Sequence, residues 1–215
     1  MKKGFGIIFT FLFFSYGSLL NAQNIFSGFE HLFTPVGNYV VYQAVSEIEI
    51  DGKMNETSWE KASWTEDFRD IEGEKMPKPL HQTRVKMLWD DHYFYIAVEM
   101  EEPDVWATLK ERDSIIYQDN DFEVFIDPDG DTHRYFELEI NAFGTVWDLF
   151  LDKPYRDDCR PLFFWDMRGM KSAIQVDGTI NHPGDIDNAW TCEMALPWEV
   201  LRETADQPTP PRSGD

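Results

Sequence analysis

The residues 118–141, QDNDFEVFIDPDGDTHRYFELEIN, hold eight carboxylates: Asp119, Asp121, Glu123, Asp127, Asp129, Asp131, Glu137 and Glu139. Carboxylates at this density suit three kinds of chemistry. They accept hydrogen bonds from hydroxyl-rich ligands, they hold hard cations through oxygen, and in pairs they cleave glycosidic bonds. Cleavage needs two carboxyls about 5 Å or roughly 6.5–9.5 Å apart, according to stereochemistry. Cross-strand and i, i+2 carboxylates here reach either distance, so spacing neither excludes hydrolysis nor supports it. A catalytic acid also needs apolar surroundings that raise its pKa, and this row reads as acidic and solvated.

The element that positions them is a hairpin. Successive side chains of a strand face opposite sides. Phe122, Val124 and Ile126 share one side, and Phe136, Leu138 and Ile140 share one side of the partner strand. These rows are the expected core face. Asp121, Glu123 and Phe125 then share the other face with Tyr135, Glu137, Glu139 and Asn141. Like charges across a strand pair repel, and three things offset that. The face is solvated, which pattern alone favours. Or cations sit there: Arg84 and Lys86 from a neighbouring strand, or calcium. Or a ligand does, with carboxylates accepting from sugar hydroxyls and Tyr117 stacking on a pyranose ring. The turn DPDGDT departs from an EF-hand loop, with Thr132 in place of Gly and Leu138 in place of Glu. It reads as a Pro/Gly hairpin turn. A calcium site of another kind at Asp127 and Asp129 stays open.

The rest of the chain has the same grain. In TRVKMLWDDHYFYIAVEM, Val85, Met87 and Trp89 share one face and Arg84, Lys86 and Leu88 the other. DDH makes the turn, and Phe94, Ile96 and Val98 alternate on the return. Ile48 and Ile50 alternate as in a half-buried strand, and Asn55 is placed to cap a short helix through Trp59. Two strands follow Met170, and Pro197 opens a short helix. Trp59, Trp64, Trp89, Trp147, Trp165, Trp190 and Trp198 are expected in packing. Short strands, regular turns and no long amphipathic helix predict an all-β domain, a two-sheet β-sandwich of the jelly-roll or immunoglobulin-like kind.

With 215 residues and 42% hydrophobic content the chain can build one real core. A formal charge of −21 repels phosphate backbones, so nucleic acid is not an expected partner. Lys2 and Lys3, the apolar run GIIFTFLFF and small Ala22 form a signal peptide pattern over residues 1–22. Cleavage after Ala22 removes two lysines and no acid, taking the charge from −21 to −23. The expected location is periplasmic or extracellular, with no stable membrane insertion after cleavage. Cys192 reads as a buried small residue and Cys159 as a loop residue; their spacing is not that of zinc ligands. No P-loop, G-x-G-x-x-G, G-x-S-x-G or H-E-x-x-H occurs, so no nucleotide is expected and elbow-type serine hydrolysis and zincin chemistry lack support.

Five segments in order, IDGKMNETSW, RVKMLWDDHYFYIAVEM, QDNDFEVFIDPDGD, YFELEINAFGTVWD and WTCEMALPW, resemble the carbohydrate-binding module family 9-like domains of exported bacterial proteins. The resemblance runs from about Thr34 to residue 215. It implies a β-sandwich that binds sugar between two aromatic side chains, with structural calcium. The family's hydrogen-bonding Glu matches Glu123, and its first stacking aromatic falls near Tyr117. An Arg of that family aligns with Glu139. Its second aromatic lies near the family's C-terminus. This chain ends at PPRSGD, so it is expected to lack its C-terminal strands and half of the aromatic sandwich. The expected carbohydrate site is Tyr117, Glu123, Glu137, Glu139 and Asn141, with Trp106 on a nearby loop. The expected function is that of an exported, non-catalytic binder of oligosaccharide or polysaccharide, serving polysaccharide degradation or uptake. A glycoside hydrolase is the enzyme alternative. A haem-binding redox domain using His133 and Met100 is a second, since related sandwich domains bind haem, but an exposed turn His and a strand-end Met is the plainer account and no haem is expected.

Overall fold

The computed structural model describes residues 37–212. The expected signal peptide lies outside the described residues. Among the described residues eight strands form: β1 Tyr42–Gln43, β2 Thr83–Trp89, β3 Tyr93–Glu101, β4 Asp121–Ile126, β5 Tyr135–Asn141, β6 Val146–Leu151, β7 Lys171–Asp177 and β8 Ala189–Pro197. Two short helices accompany them, α1 Thr57–Lys61 and α2 Trp198–Leu201. One sheet has the order β1-β2-β3-β8-β7 and the other β4-β5-β6. All pairs are antiparallel except β1 with β2.

The core lies between the sheets. Val85, Ile96, Val98, Cys192 and Met194 of the larger sheet meet Phe122, Phe136, Leu138, Ile140 and Val146 of the smaller. The expected hairpin register holds: Phe122 pairs with Ile140, Val124 with Leu138 and Ile126 with Phe136. Alternation thus placed the inner face of both sheets, and the fold is the expected β-sandwich.

The outer face of the larger sheet is covered too. Leu88, Tyr95, Ala97 and Ala195 pack against Ile48, Trp59 and Ala62. Glu193 of β8 is fully buried in this layer, where it accepts from Trp59 Nε1 at 2.7 Å and from the Gly52 and Asp51 amides at 2.6 and 3.1 Å. Gly52 has φ +86°, and a Cβ there would lie 2.9 Å from the Ile174 backbone. Only glycine fits that approach without strain.

Two local expectations need correction. Residues 47–50 alternate, with Ile48 buried and Ile50 half-buried, but they join no ladder; the strand at this end is Tyr42–Gln43. Met54 takes φ +50° and Glu56 stays extended, so α1 begins only at Thr57 and Asn55 does not cap it. Cys192 lies in the core and Cys159 on a loop, both as free thiols. No helix among the described residues is long and apolar enough to cross a membrane.

Candidate functional site

The smaller sheet has β5 in the middle, so its residues have neighbours on both sides. Glu139 pairs with Glu123 on one side and Trp147 on the other, and Glu137 pairs with Phe125 and Leu149. Oxygens of Glu123, Glu137 and Glu139 lie within 4.8 Å of one another. The structure therefore brings these three together on the outer face of the sheet.

It does not leave them solvated. Glu123, on the edge strand, is exposed, but Glu137 is 4% and Glu139 1% exposed. The cover is a third small core outside the sheet. Ile116, Trp147, Leu149 and Leu151 are buried there, with Leu109, Tyr135 and Cys159 packed against them. A carboxylate in such a place must find donors or take up a proton. Tyr117 N donates to Glu139 Oε2 at 2.8 Å, and the Tyr155 hydroxyl donates to Glu137 Oε2. Burial pushes Glu139 up to about 7, with Asp121 and Glu123 adding and the Tyr117 amide opposing. Asp121 rises to about 6 through burial and the charges of Glu123 and Asp119. Glu137 is raised by burial and by neighbouring Glu123, with the Tyr155 hydroxyl opposing. The row thus sets an exposed carboxylate beside two buried carboxyls whose proton affinity burial raises.

Rings surround it. Tyr117 is 62% exposed, and its ring centre is 6.0 Å from that of Trp147. Phe163 stacks on Trp147 at 5.8 Å and 10°. Tyr155 and Phe125 are also half exposed. The face offers hydrogen-bonding carboxyls beside apolar ring surface, the combination that a sugar's hydroxyls and C–H face require.

The other expected residues fare differently. Asn141 is fully buried and its side chain is fully used. Its Nδ2 donates to Leu109 O and to Asp119, and its Oδ1 accepts from the Phe143 and Thr145 amides. It closes the β5–β6 turn and has nothing left for a ligand. Trp106 is half exposed on the loop after β3 but neither stacks on nor hydrogen-bonds the acidic row. Arg84 and Lys86 do not neutralise the row. They lie on β2 in the other sheet, where Arg84 pairs with Glu99 at 2.6 Å and Lys86 Nζ donates to Trp59 O. Met100 is buried in the core and His133 is exposed on the β4–β5 turn.

In that turn, oxygens of Asp127, Asp129 and Asp131 lie within 4.8 Å of one another. Asp127 accepts from the Gly130 and Thr132 amides, and Asp129 from Asp131 N. An all-oxygen carboxylate set fits calcium's preference.

Sequence reasoning missed Trp147, Tyr155 and Phe163 as neighbours of the row. Trp147 was within reach, since alternation along VWDLFL puts it on the side of its partner Glu139. Tyr155 and Phe163 come from an irregular loop whose sequence carries no period.

A family model described as "Carbohydrate family 9 binding domain-like" matches residues 50–211. Among solved structures, a carbohydrate binding module family 9 from Caldicellulosiruptor kristjanssonii in complex with cellotriose is similar at 16% identity, TM-score 0.48, over 73% of this chain and 66% of that one. The chain thus spans just under two thirds of that structure's length. Its glucose complex gives 16% identity and TM-score 0.48, over 73% of this chain and 68% of that one. A protein from Bacteroides uniformis described as a candidate carbohydrate-binding protein is similar in fold, at 14% identity and TM-score 0.57, over 78% of this chain and 75% of that one. No curated protein matches the sequence.

Proposed function

The chain belongs to the carbohydrate family 9 binding domain-like family, and from that premise we propose that it binds oligosaccharide or polysaccharide, without cleaving it, on the outer face of the β4–β6 sheet. The observation that carries this reading is the joining of exposed Glu123, buried Glu137 and Glu139, and the exposed Tyr117 ring on one surface. Glu123 accepts from sugar hydroxyls. Glu137 and Glu139 lie beside it, buried under the sheet's outer cover. Tyr117 covers the apolar face of the sugar ring. The leader pattern over residues 1–22 supports export to the periplasm or beyond, in the service of polysaccharide degradation or uptake. Asp127 and Asp129, with Asp131, would hold a calcium ion that fixes the β4–β5 turn.

Calorimetry with oligosaccharides tests the site. A hydrogen bond to a charged acceptor contributes about 1.5–3 kcal/mol, so Glu123→Ala should weaken binding at least about tenfold. Tyr117→Ala should weaken it as well. Both residues are exposed, so neither change threatens the fold. Unchanged affinity in both variants removes this site. A parallel assay for released reducing sugar tests the hydrolase alternative: release that disappears with Glu123→Ala would mean that the acids cleave.

A further inference from the structure

The segment PLFFW, residues 161–165, lies in the β6–β7 loop and exposes three consecutive apolar side chains: Leu162 at 56%, Phe163 at 47% and Phe164 at 97%. A chain seldom holds such a run in solvent without use. This one is held in place. Leu162 N donates to Phe150 O at 2.9 Å, and Trp165 N donates to Leu162 O at 3.3 Å. The Trp165 ring stacks on buried Phe136 at 4.5 Å and 19°. Phe163 and Phe164 therefore sit between two anchored neighbours. Phe163 lies parallel on Trp147, whose register partner is Glu139. Tyr117 and Phe163, both exposed, thus pack against the same buried Trp147, next to Glu139.

We propose that Phe163 and Phe164 form a second aromatic subsite, which takes the next sugar ring of an oligosaccharide whose first ring lies over Glu123 and Tyr117. The inference rests on the sugar-binding reading above and extends it from one ring to two. The occupant follows from what borders the rings. On one side are carboxyls that offer hydrogen bonds to hydroxyls, and the cations Arg84 and Lys86 are committed elsewhere. Beside the acidic row, a ligand rich in hydroxyls and without negative charge fits. Next to it must come an apolar face to cover Phe163. A neutral oligosaccharide presents both in sequence, since each pyranose ring has a C–H face and a hydroxyl edge.

The test is calorimetry with glucose and cellotriose on the wild type, Phe163→Ala, Phe164→Ala, Phe163→Tyr and Glu123→Ala. Covering part of one ring removes enough apolar area from water to change affinity about tenfold. Phe163→Ala and Phe164→Ala should each weaken cellotriose by about that factor and leave glucose at the wild-type level. Phe163→Tyr should restore cellotriose binding, and Glu123→Ala should weaken both sugars. Phe164, almost wholly exposed, keeps the test valid if Phe163→Ala disturbs Trp147. Wild-type cellotriose affinity in both Ala variants overturns the inference alone, as does an equal loss of glucose and cellotriose in Phe164→Ala. A change in self-association by light scattering, with sugar affinity intact, assigns the rings to contact between copies and also overturns it. A wild type that binds neither sugar overturns the inference together with the reading beneath it.

Discussion

Glu139 is buried beside Asp121, Glu123 and Glu137, and this sets how it responds to pH. Its pKa rises from 4.5 to about 7, mainly because burial disfavours the charge. A carboxyl that binds its proton more tightly when folded stabilises the fold most below its unfolded value. That contribution is complete below about 4.5 and is lost as pH climbs through about 7. The full change corresponds to on the order of 3 kcal/mol, or several degrees in Tm for a domain of this size. Glu139→Gln keeps an oxygen for the Tyr117 amide and cannot ionise. The expected outcome is a wild-type Tm that falls between pH 5 and 8 more steeply than that of Glu139→Gln. Parallel Tm curves would mean that Glu139 titrates like an exposed acid. At this scale alternation alone put Glu123, Glu137 and Glu139 on one face. It did not reveal the burial of Glu137 and Glu139, because the cover comes from irregular loops around Ile116 and Cys159, where no period links sequence to position.

The β4–β5 hairpin shows what an element can do with its turn. Asp127 and Asp129 already fold the turn by accepting backbone amides. A calcium ion bound to the same carboxylates would hold the ends of β4 and β5 together and stabilise the native state by mass action. Calcium at about a hundred times its Kd should contribute about 2.7 kcal/mol. The expected outcome is a Tm that rises with added calcium chloride, reverses with chelator, and does not move in Asp127→Asn with Asp129→Asn. A wild-type Tm indifferent to calcium would leave the turn as a hairpin closed by amides alone. Strands were legible wherever apolar side chains recur at every second position, as in β2, β3, β4 and β5. The start of α1 was not, because Met54 takes a left-handed conformation that its sequence does not announce. Ile48 and Ile50 carried a strand's alternation without a strand partner, since burial against Trp59 imposes the same pattern as a ladder.

The whole molecule carries a formal charge of −21, and the fold must hold that charge together. Self-repulsion destabilises a compact state far from neutrality. Salt screens it, with a Debye length falling from about 30 Å at 0.01 M to roughly 3 Å at 1 M. Raising sodium chloride across that range should therefore raise the Tm. The effect on ligand binding separates the partner classes. A neutral oligosaccharide brings no charge, so its affinity should stay flat with salt. A cationic ligand would be drawn by the acidic face and would lose affinity as salt rises. A nucleic acid would be repelled at low salt. The measurement is a salt series of melting curves with calorimetry for cellotriose at each concentration. Rising Tm with constant affinity is the expected result, because the proposed contacts of carboxyls with hydroxyls are short hydrogen bonds and do not draw on the long-range field. A steep fall in affinity with salt would show that charge, and not the pairing of carboxyls with aromatic rings, selects what this face binds.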